Sequence, residues 1–229
     1  MDKDRPQRPA TRRPVLNIGF IGGTGEEGMG LAYRFALAGH ACVIGSRALD
    51  KAQAAVAELK EKDAALPITG ATNAEAAAAD LVIVTTPYSA QEATLPPLAA
   101  ALAGKIVVST VVPMAFEAGR ASLLAVPEGS AAEQEQALLP QSTVVAAFQN
   151  LSARKLLKGG PLDADVVVCA ADPEAKKQVM SLAEAIEGVR AVDGGPLPNA
   201  KLVEGITVLL VAINRAYKTQ AGIKITAIQ

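Results

Sequence analysis

Apolar residues in this chain come in short unbroken runs, separated by longer stretches in which they recur every three or four positions. Residues 15–21 (VLNIGFI), 41–45 (ACVIG), 81–85 (LVIVT), 106–110 (IVVST), 143–148 (TVVAAF) and 166–169 (VVVC) are such runs, with a short extended piece at 68–71. Runs of this length without polar alternation predict strands buried on both faces. Between them, residues 28–38, 48–62, 173–186 and 198–217 carry helical spacing; Gly39 closes the first, and Asp172-Pro173 opens the third with an N-cap and a proline that has no donor to lose. Shorter helices are predicted at 73–79, opened by Thr72 or Asn73, and at 89–102, interrupted by Pro96-Pro97. Residues 122–141, rich in Glu, Gln and Ala, are expected to cross the surface and then form a helix. Buried strands alternating with helices predict an α/β fold, a doubly wound parallel sheet covered on both faces.

Residues 1–14 (MDKDRPQRPATRRP) have too little apolar surface to offset the cost of ordering and predict a flexible tail. Residues 15–150 are expected to form a Rossmann-type nucleotide-binding domain, and 151–229 a small C-terminal domain or a continuation of the same sheet.

Composition narrows the classes. Half of the residues are hydrophobic, enough for a core without covalent staples. A net charge of −1 supplies no field for nucleic acid or an anionic membrane. Cys42 and Cys169 both sit in apolar runs, so buried thiols are expected rather than a disulfide, and with a single histidine no metal set is apparent. No apolar leader-like segment opens the chain, and the apolar run at 206–213 is far shorter than the ~20 residues of a membrane span, so a cytoplasmic protein is expected. That run is apolar almost all round its helix, which predicts cover from a second copy, a homodimer.

The first strand runs into Gly22-Gly23-Thr24-Gly25-Glu26-Glu27-Gly28, in which Gly23, Gly25 and Gly28 form G-x-G-x-x-G between a predicted strand and a helix. That context reads as a dinucleotide site: a tight turn, close backbone approach to the pyrophosphate, and helix packed on strand. A merely structural glycine turn is the alternative. The second strand ends in Gly45-Ser46-Arg47, with no carboxylate until Asp50. An NAD site wants a carboxylate there for the ribose hydroxyls; Arg47, aided by Ser46, Thr24 and Lys51, suits a 2′-phosphate instead, so NADP is favoured. Ligands of such sheets sit at the carboxyl ends of the strands, which selects Thr85-Thr86-Pro87-Tyr88, Ser109 to Pro113 (with Val112 and Pro113) and Gln149-Asn150-Leu151-Ser152.

His40 falls between the first helix and the second strand, at the opposite edge, so no histidine acid or base is available to the site. Hydride exchange between two cofactors asks for positioning and exclusion of water rather than an acid or base.

IGFIGGTGEEGMGLAYRFALAGH, VIGSR, TTPY, IVVSTVVP, VVAAFQNLSA, DVVVCAADPEAKKQVMSL, VDGGPLPNAKLVEGIT and INRAYKTQAGIKIT, in this order, resemble the NADPH-dependent F420 reductases (F420:NADP oxidoreductases), from about residue 16 to 226. The resemblance implies hydride transfer between C4 of the nicotinamide of NADP(H) and C5 of the deazaflavin coenzyme F420. It implies the 2′-phosphate on Thr24, Ser46, Arg47 and Lys51, and the pyrophosphate on the Gly22–Gly28 loop, Glu26 and Glu27 included. It places Gln149, Leu151, Ala153 and Ala221 near the deazaflavin ring. Gln149 departs from the histidine often found there, and a neutral amide still bonds a ring oxygen or nitrogen. Two other readings are an NADPH-dependent reductase of a flavin, metal chelate or imine, and a catalytically silent NADP(H)-binding sensor.

Overall fold

The computed structural model describes residues 14–228. The tail expected over 1–14 lies, except for its last residue, outside the described residues. The strands are β1 (Asn17–Ile21), β2 (Ala41–Ser46), β3 (Ile68–Thr72), β4 (Leu81–Val84), β5 (Ile106–Ser109), β6 (Met114–Glu117), β7 (Arg120–Leu123), β8 (Thr143–Ala146), β9 (Ala164–Ala170) and β10 (Val189–Asp193). The helices are α1 (Glu26–Leu37), α2 (Leu49–Lys62), α3 (Asn73–Ala76), α4 (Gln91–Thr94), α5 (Ala99–Leu102), α6 (Ala131–Leu138), α7 (Ala153–Lys158), α8 (Pro173–Ala183) and α9 (Ala200–Tyr217).

Eight strands make one sheet in the order β10-β9-β8-β5-β4-β1-β2-β3. All neighbours pair in parallel except β8 and β9, which run antiparallel. This is the mostly parallel, doubly wound sheet that the alternating pattern predicts. The chain winds outward from β1 in both directions, so the strand order reverses between β1 and β4. Their carboxyl ends leave a crevice there. Two apolar clusters flank the sheet. One holds Ile18, Phe20, Leu31, Phe35, Leu59 and Val179; the other holds Val82, Val84, Leu95, Leu102, Val144 and Val203. Both thiols are free and buried in these clusters, and burial pushes Cys42 up to about 12 and Cys169 to about 11.

Two elements differ from the sequence expectation, and a third, 89–102, is interrupted at Pro96-Pro97 as expected. The helix predicted over 73–79 is a single turn, α3, closed by a Thr72–Glu75 capping box. The stretch 89–102 breaks into short pieces around Pro96 and Pro97. A two-stranded ribbon, β6–β7, stands where the apolar pattern predicts no strand. His40 is buried at the amino edge of the sheet, where its Nδ1 accepts from the Leu16 amide at 3.1 Å.

Helix α9, with the turn before it, is by length and composition the one described segment apolar enough to cross a membrane. It buries Val203, Glu204 and Leu210, with Glu204 accepting from the Ala131 and Ala132 amides at the start of α6, and leaves Leu202 and Leu209 about 60% exposed (60% and 59%).

Candidate active site

The glycine loop is built by contacts that admit no side chain. Gly22 has φ +70, and a Cβ there would sit 2.6 Å from the Thr86 methyl. A Cβ on Gly28 would meet the Gly23 Cα at 2.6 Å, so helix and turn pack backbone on backbone. At Gly25 a Cβ would meet nothing within 4 Å. Its backbone therefore faces open space at the start of α1, whose first amides have no side-chain cap. That is the cradle a pyrophosphate needs.

Three cavities run together along the carboxyl edge of the sheet. The first, about 440 Å³, is lined by Thr24, Ser46, Arg47, Lys51, Asn73 and Thr86, with Gly22 and Pro87. It is lined by four hydroxyl side chains, Thr94 included, and two cations, the donor set for a phosphate monoester. Ser46 is buried and Arg47 exposed, so the hydroxyl sits at the floor and the guanidinium at the rim. The second, about 590 Å³, shares Gly22, Thr24, Thr86 and Pro87 with the first and continues past Gly25, Glu26, Glu27, Tyr88 and Val112 to Gln149, Leu151, Ala153 and Thr207. The third, about 190 Å³, shares Gln149, Leu151 and Ala153 with the second and ends at Asn214 and Ala221. Of the strand-end and glycine-loop positions singled out from sequence, Gly23, Gly28, Ser109 and Pro113 line none of the three, Ser109 being fully buried with its hydroxyl on Glu135. The two glycines pack inside the turn, and the Pro113 carbonyl accepts from Leu124 at 2.7 Å.

The Gln149 segment is held from several sides. Phe148, fully buried, has φ 75, a conformation few aromatic residues adopt. Its ring packs edge-on against Phe35 at 5.7 Å, which holds the turn closed. Gln149 Nε2 donates to the Ser109 carbonyl at 3.1 Å, and the Thr207 hydroxyl donates to the Gln149 carbonyl at 2.9 Å. The Ser109 hydroxyl in turn donates to Glu135 Oε1 at 2.8 Å, and Gln91 donates to the same oxygen. Glu135 is fully buried, and that burial raises its carboxyl to about 8. Gln149 Nε2 keeps a second N–H, and its buried Oε1, which has no partner, is an open acceptor beside the cavity.

The C-terminal segment reaches the site because β9 anchors it. Asp165 accepts two hydrogen bonds from Arg190, at 3.0 and 2.6 Å, and one from the Ile225 amide at 2.6 Å. The Arg190 guanidinium holds the Asp165 carboxyl below its ordinary range. Asn214 Oδ1 accepts from the Ala221 amide, and Ser152 donates to Gln220 at 2.7 Å.

Of the six described side-chain atoms buried without a hydrogen-bond partner, Glu27 Oε1, Thr86 Oγ1 and Gln149 Oε1 line the second cavity. Unmet buried groups converging on one trough indicate a polar ligand. Sequence reasoning missed Asn73, whose Oδ1 accepts from the Gly22 amide at 3.1 Å, and Thr207, which α9 delivers from far along the chain. Asn73 carried a signal, since it directly follows the carboxyl end of β3; Thr207 carried none.

The family described as NADP oxidoreductase, coenzyme F420-dependent, matches residues 17–113. The chain is 42% identical over 223 residues to the F420-dependent NADP reductase of Methanocaldococcus jannaschii, covering 93% of this chain and all of the relative. It is 42% identical to the F420-dependent NADP reductase of Methanothermobacter marburgensis, covering 92% and 98%. A solved structure from Arthrobacter sp. FB24, provisionally named an F420-dependent NADP-reductase, superposes with a TM-score of 0.80 at 27% identity, covering 93% of this chain and all of that one. An imine reductase from Bacillus cereus shares the fold, with a TM-score of 0.62 at 20% identity over 88% of this chain and 63% of that one. With near-complete coverage at such identity, this chain belongs to the F420-dependent NADP reductases.

Proposed function

We propose that the trough binds NADP(H) and F420 end to end and that the chain transfers a hydride between them. The full-length relatedness to F420-dependent NADP reductases carries the activity. The continuity of the three cavities supports the placement. Thr24, Ser46, Arg47 and Lys51 take the 2′-phosphate, and the Gly22–Gly28 loop takes the pyrophosphate. Thr86, Pro87 and Val112 border the nicotinamide, with Pro113 stiffening the turn behind them. Gln149, Leu151, Ala153 and Ala221 border the deazaflavin. On this reading residues 15–150 serve the nucleotide and 151–229 complete the deazaflavin pocket, a division of labour within one sheet.

The bound pair supplies the chemistry, hydride loss at nicotinamide C4 and hydride gain at deazaflavin C5. The chain's residues orient the two rings and exclude water. Val111, Val112, Leu151 and Ala153 give the second cavity an apolar wall, and Gln149 Oε1 fixes a ring donor by a single hydrogen bond.

The exposed leucines of α9 lie beside the ribbon, which exposes Phe116 (63%) and Leu123 (44%). We infer that a second copy of the chain covers this face and that the protein is a cytoplasmic homodimer with no nucleic-acid or membrane partner. Recovery of the chain in the membrane fraction of lysed cells would overturn the localisation.

The test of the activity mixes purified protein, NADPH and oxidised F420 and follows the deazaflavin's visible absorbance, with NADH and free FMN as controls. Loss of absorbance with NADPH and not NADH is the expected result. Turnover of FMN with none of F420 would favour a flavin reductase, and NADPH binding without any turnover a silent sensor.

A further inference from the structure

Glu27 is an unusual residue for its place. It lies in the first turn of α1, directly after the glycine loop, and lines the second cavity with Gln149 and Thr207. Its Oε1 is shut off from solvent and has no hydrogen-bond partner. Burial alone pushes the carboxyl up to about 8, with no neighbouring charge contributing. The ionisable groups facing it are few. Glu26 on the same turn and Tyr88 on the facing 3₁₀ turn share its cavity. Arg154 on α7 lines the adjoining third cavity, and Arg47 and Lys51 line the first, beyond Gly22 and Thr86. Among the described residues no cation lines the second cavity, so only the amino end of α1 is there to favour a carboxylate.

Glu27 is absent from the cavity that holds Arg47 and Lys51. It lines the second cavity, where the glycine loop proposed for the pyrophosphate meets Thr86, Pro87 and Val112, proposed for the nicotinamide half. That half is where the two redox states differ in charge: the ring is cationic in NADP+ and neutral in NADPH.

We propose that Glu27 sets the enzyme's preference between NADPH and NADP+ through its own proton. The neutral carboxyl admits either form and can donate a hydrogen bond to the bound cofactor. The carboxylate opposes the anionic NADPH, while the ring cation of NADP+ offsets that opposition. Binding of NADPH therefore holds the proton on Glu27, and binding of NADP+ holds it less. By linkage, the ratio Kd(NADPH)/Kd(NADP+) is flat up to the pH at which Glu27 ionises in the NADP+ complex, about 8 or above, and rises beyond it by up to about tenfold per pH unit until Glu27 ionises in the NADPH complex.

This inference rests on the cofactor placement proposed above, and the test separates the two. Both dissociation constants are measured by fluorescence titration of the full chain between about pH 6.5 and about pH 9.5, where one titrating group changes the ratio by up to a decade per unit. The proteins are wild type, Glu27→Gln, Glu26→Gln and Arg47→Glu. The ratio should rise above about pH 8 in wild type and in Glu26→Gln and stay flat in Glu27→Gln. A flat ratio in wild type, or the wild-type rise retained in Glu27→Gln, overturns the proposal. Unchanged dissociation constants in Arg47→Glu overturn the placement instead. If Glu27→Gln fails to fold, difference infrared spectroscopy of the wild type decides. A protonated-carboxyl band that persists above about pH 8 with NADPH but is lost with NADP+ supports the proposal, and equal bands overturn it.

Discussion

At the residue scale, two ends of one trough make separable predictions. On the proposed placement Arg47 would meet the 2′-phosphate by charge-assisted hydrogen bonds, each contributing about 1.5–3 kcal/mol. Arg47→Glu should raise KM for NADPH by about 10- to 100-fold and leave KM for F420 within about twofold. Ala221→Trp, at the far end, should do the reverse. Steady-state kinetics with each substrate varied decides, and equal effects on both substrates would sink the end-to-end arrangement. Phe148 makes a different prediction, because it couples core and site. Its ring fills the core while its backbone holds a positive φ that aims Gln149. Phe148→Ala removes the ring that enforces the turn; unfolding in urea should show a loss of about 3–5 kcal/mol, and kcat should fall in the protein that remains folded. That Thr24, Ser46, Arg47 and Lys51 line one cavity was legible in the sequence, because a glycine turn and a strand-end arginine meet at the carboxyl edge of such a sheet. The strained Phe148 was not, since a phenylalanine closing an apolar run reads only as core. Thr207 was not, since only tertiary packing brings α9 to the glycine loop.

At the scale of elements, α7 shows how a short helix is made to stay. Six residues do not hold a helix by themselves. Ser152 caps its first turn, and the close approach of Gly30 brings α1 against Leu156. Arg34, buried on α1, donates to the carbonyls of Leu156, Lys155 and Gly160 at 2.7, 2.7 and 2.5 Å. Arg34→Met should strand three carbonyls, cost about 3 kcal/mol or more, and lower Tm by about 6–12 °C. Because α7 begins at Ala153, the KM for F420 should rise more than that for NADPH; a variant that loses stability with both constants unchanged would show that α7 does not position the site. The helices and sheet strands were legible because their burial leaves a period in the sequence. The ribbon was not. Ala118 and Gly119 both have positive φ, 46 and 74, as a tight two-residue hairpin turn requires. The usual sequence mark of that turn is Asn-Gly or Asp-Gly, and Ala-Gly does not announce it. Its outward Phe116 and Leu123 also break the alternation of a half-buried strand.

At the scale of the whole molecule, the exposed apolar face and the buried carboxyls make opposite demands on solvent. Leu202 and Leu209 on α9 are too exposed for a resting surface, so Leu202→Glu together with Leu209→Glu should convert a dimer of about twice the 23.4 kDa chain mass to a monomer by light scattering. A monomeric wild type would refute the inferred dimer. The buried carboxyls govern the pH dependence of stability. Burial raises Glu27 to about 8, Glu135 to about 8 and Glu204 to about 7, from an ordinary 4.5. In the folded state these groups hold their protons; in the unfolded chain they lose them from about 4.5 upward. The unfolded state therefore binds fewer protons across that interval, and stability falls as pH rises from about 4.5 to about 8, then levels off. Asp165, Asp193 and Glu75 are shifted downward, so their contribution is lost only on acidification below the ordinary carboxyl range and leaves this interval to the raised groups. Glu135→Gln keeps an oxygen to accept from Ser109 and Gln91 but has no proton to lose. Its Tm should match wild type near pH 5, exceed it near pH 8, and show a shallower decline between them. A wild-type Tm that climbs between those two pH values would mean that the three carboxyls are ionised in the folded protein.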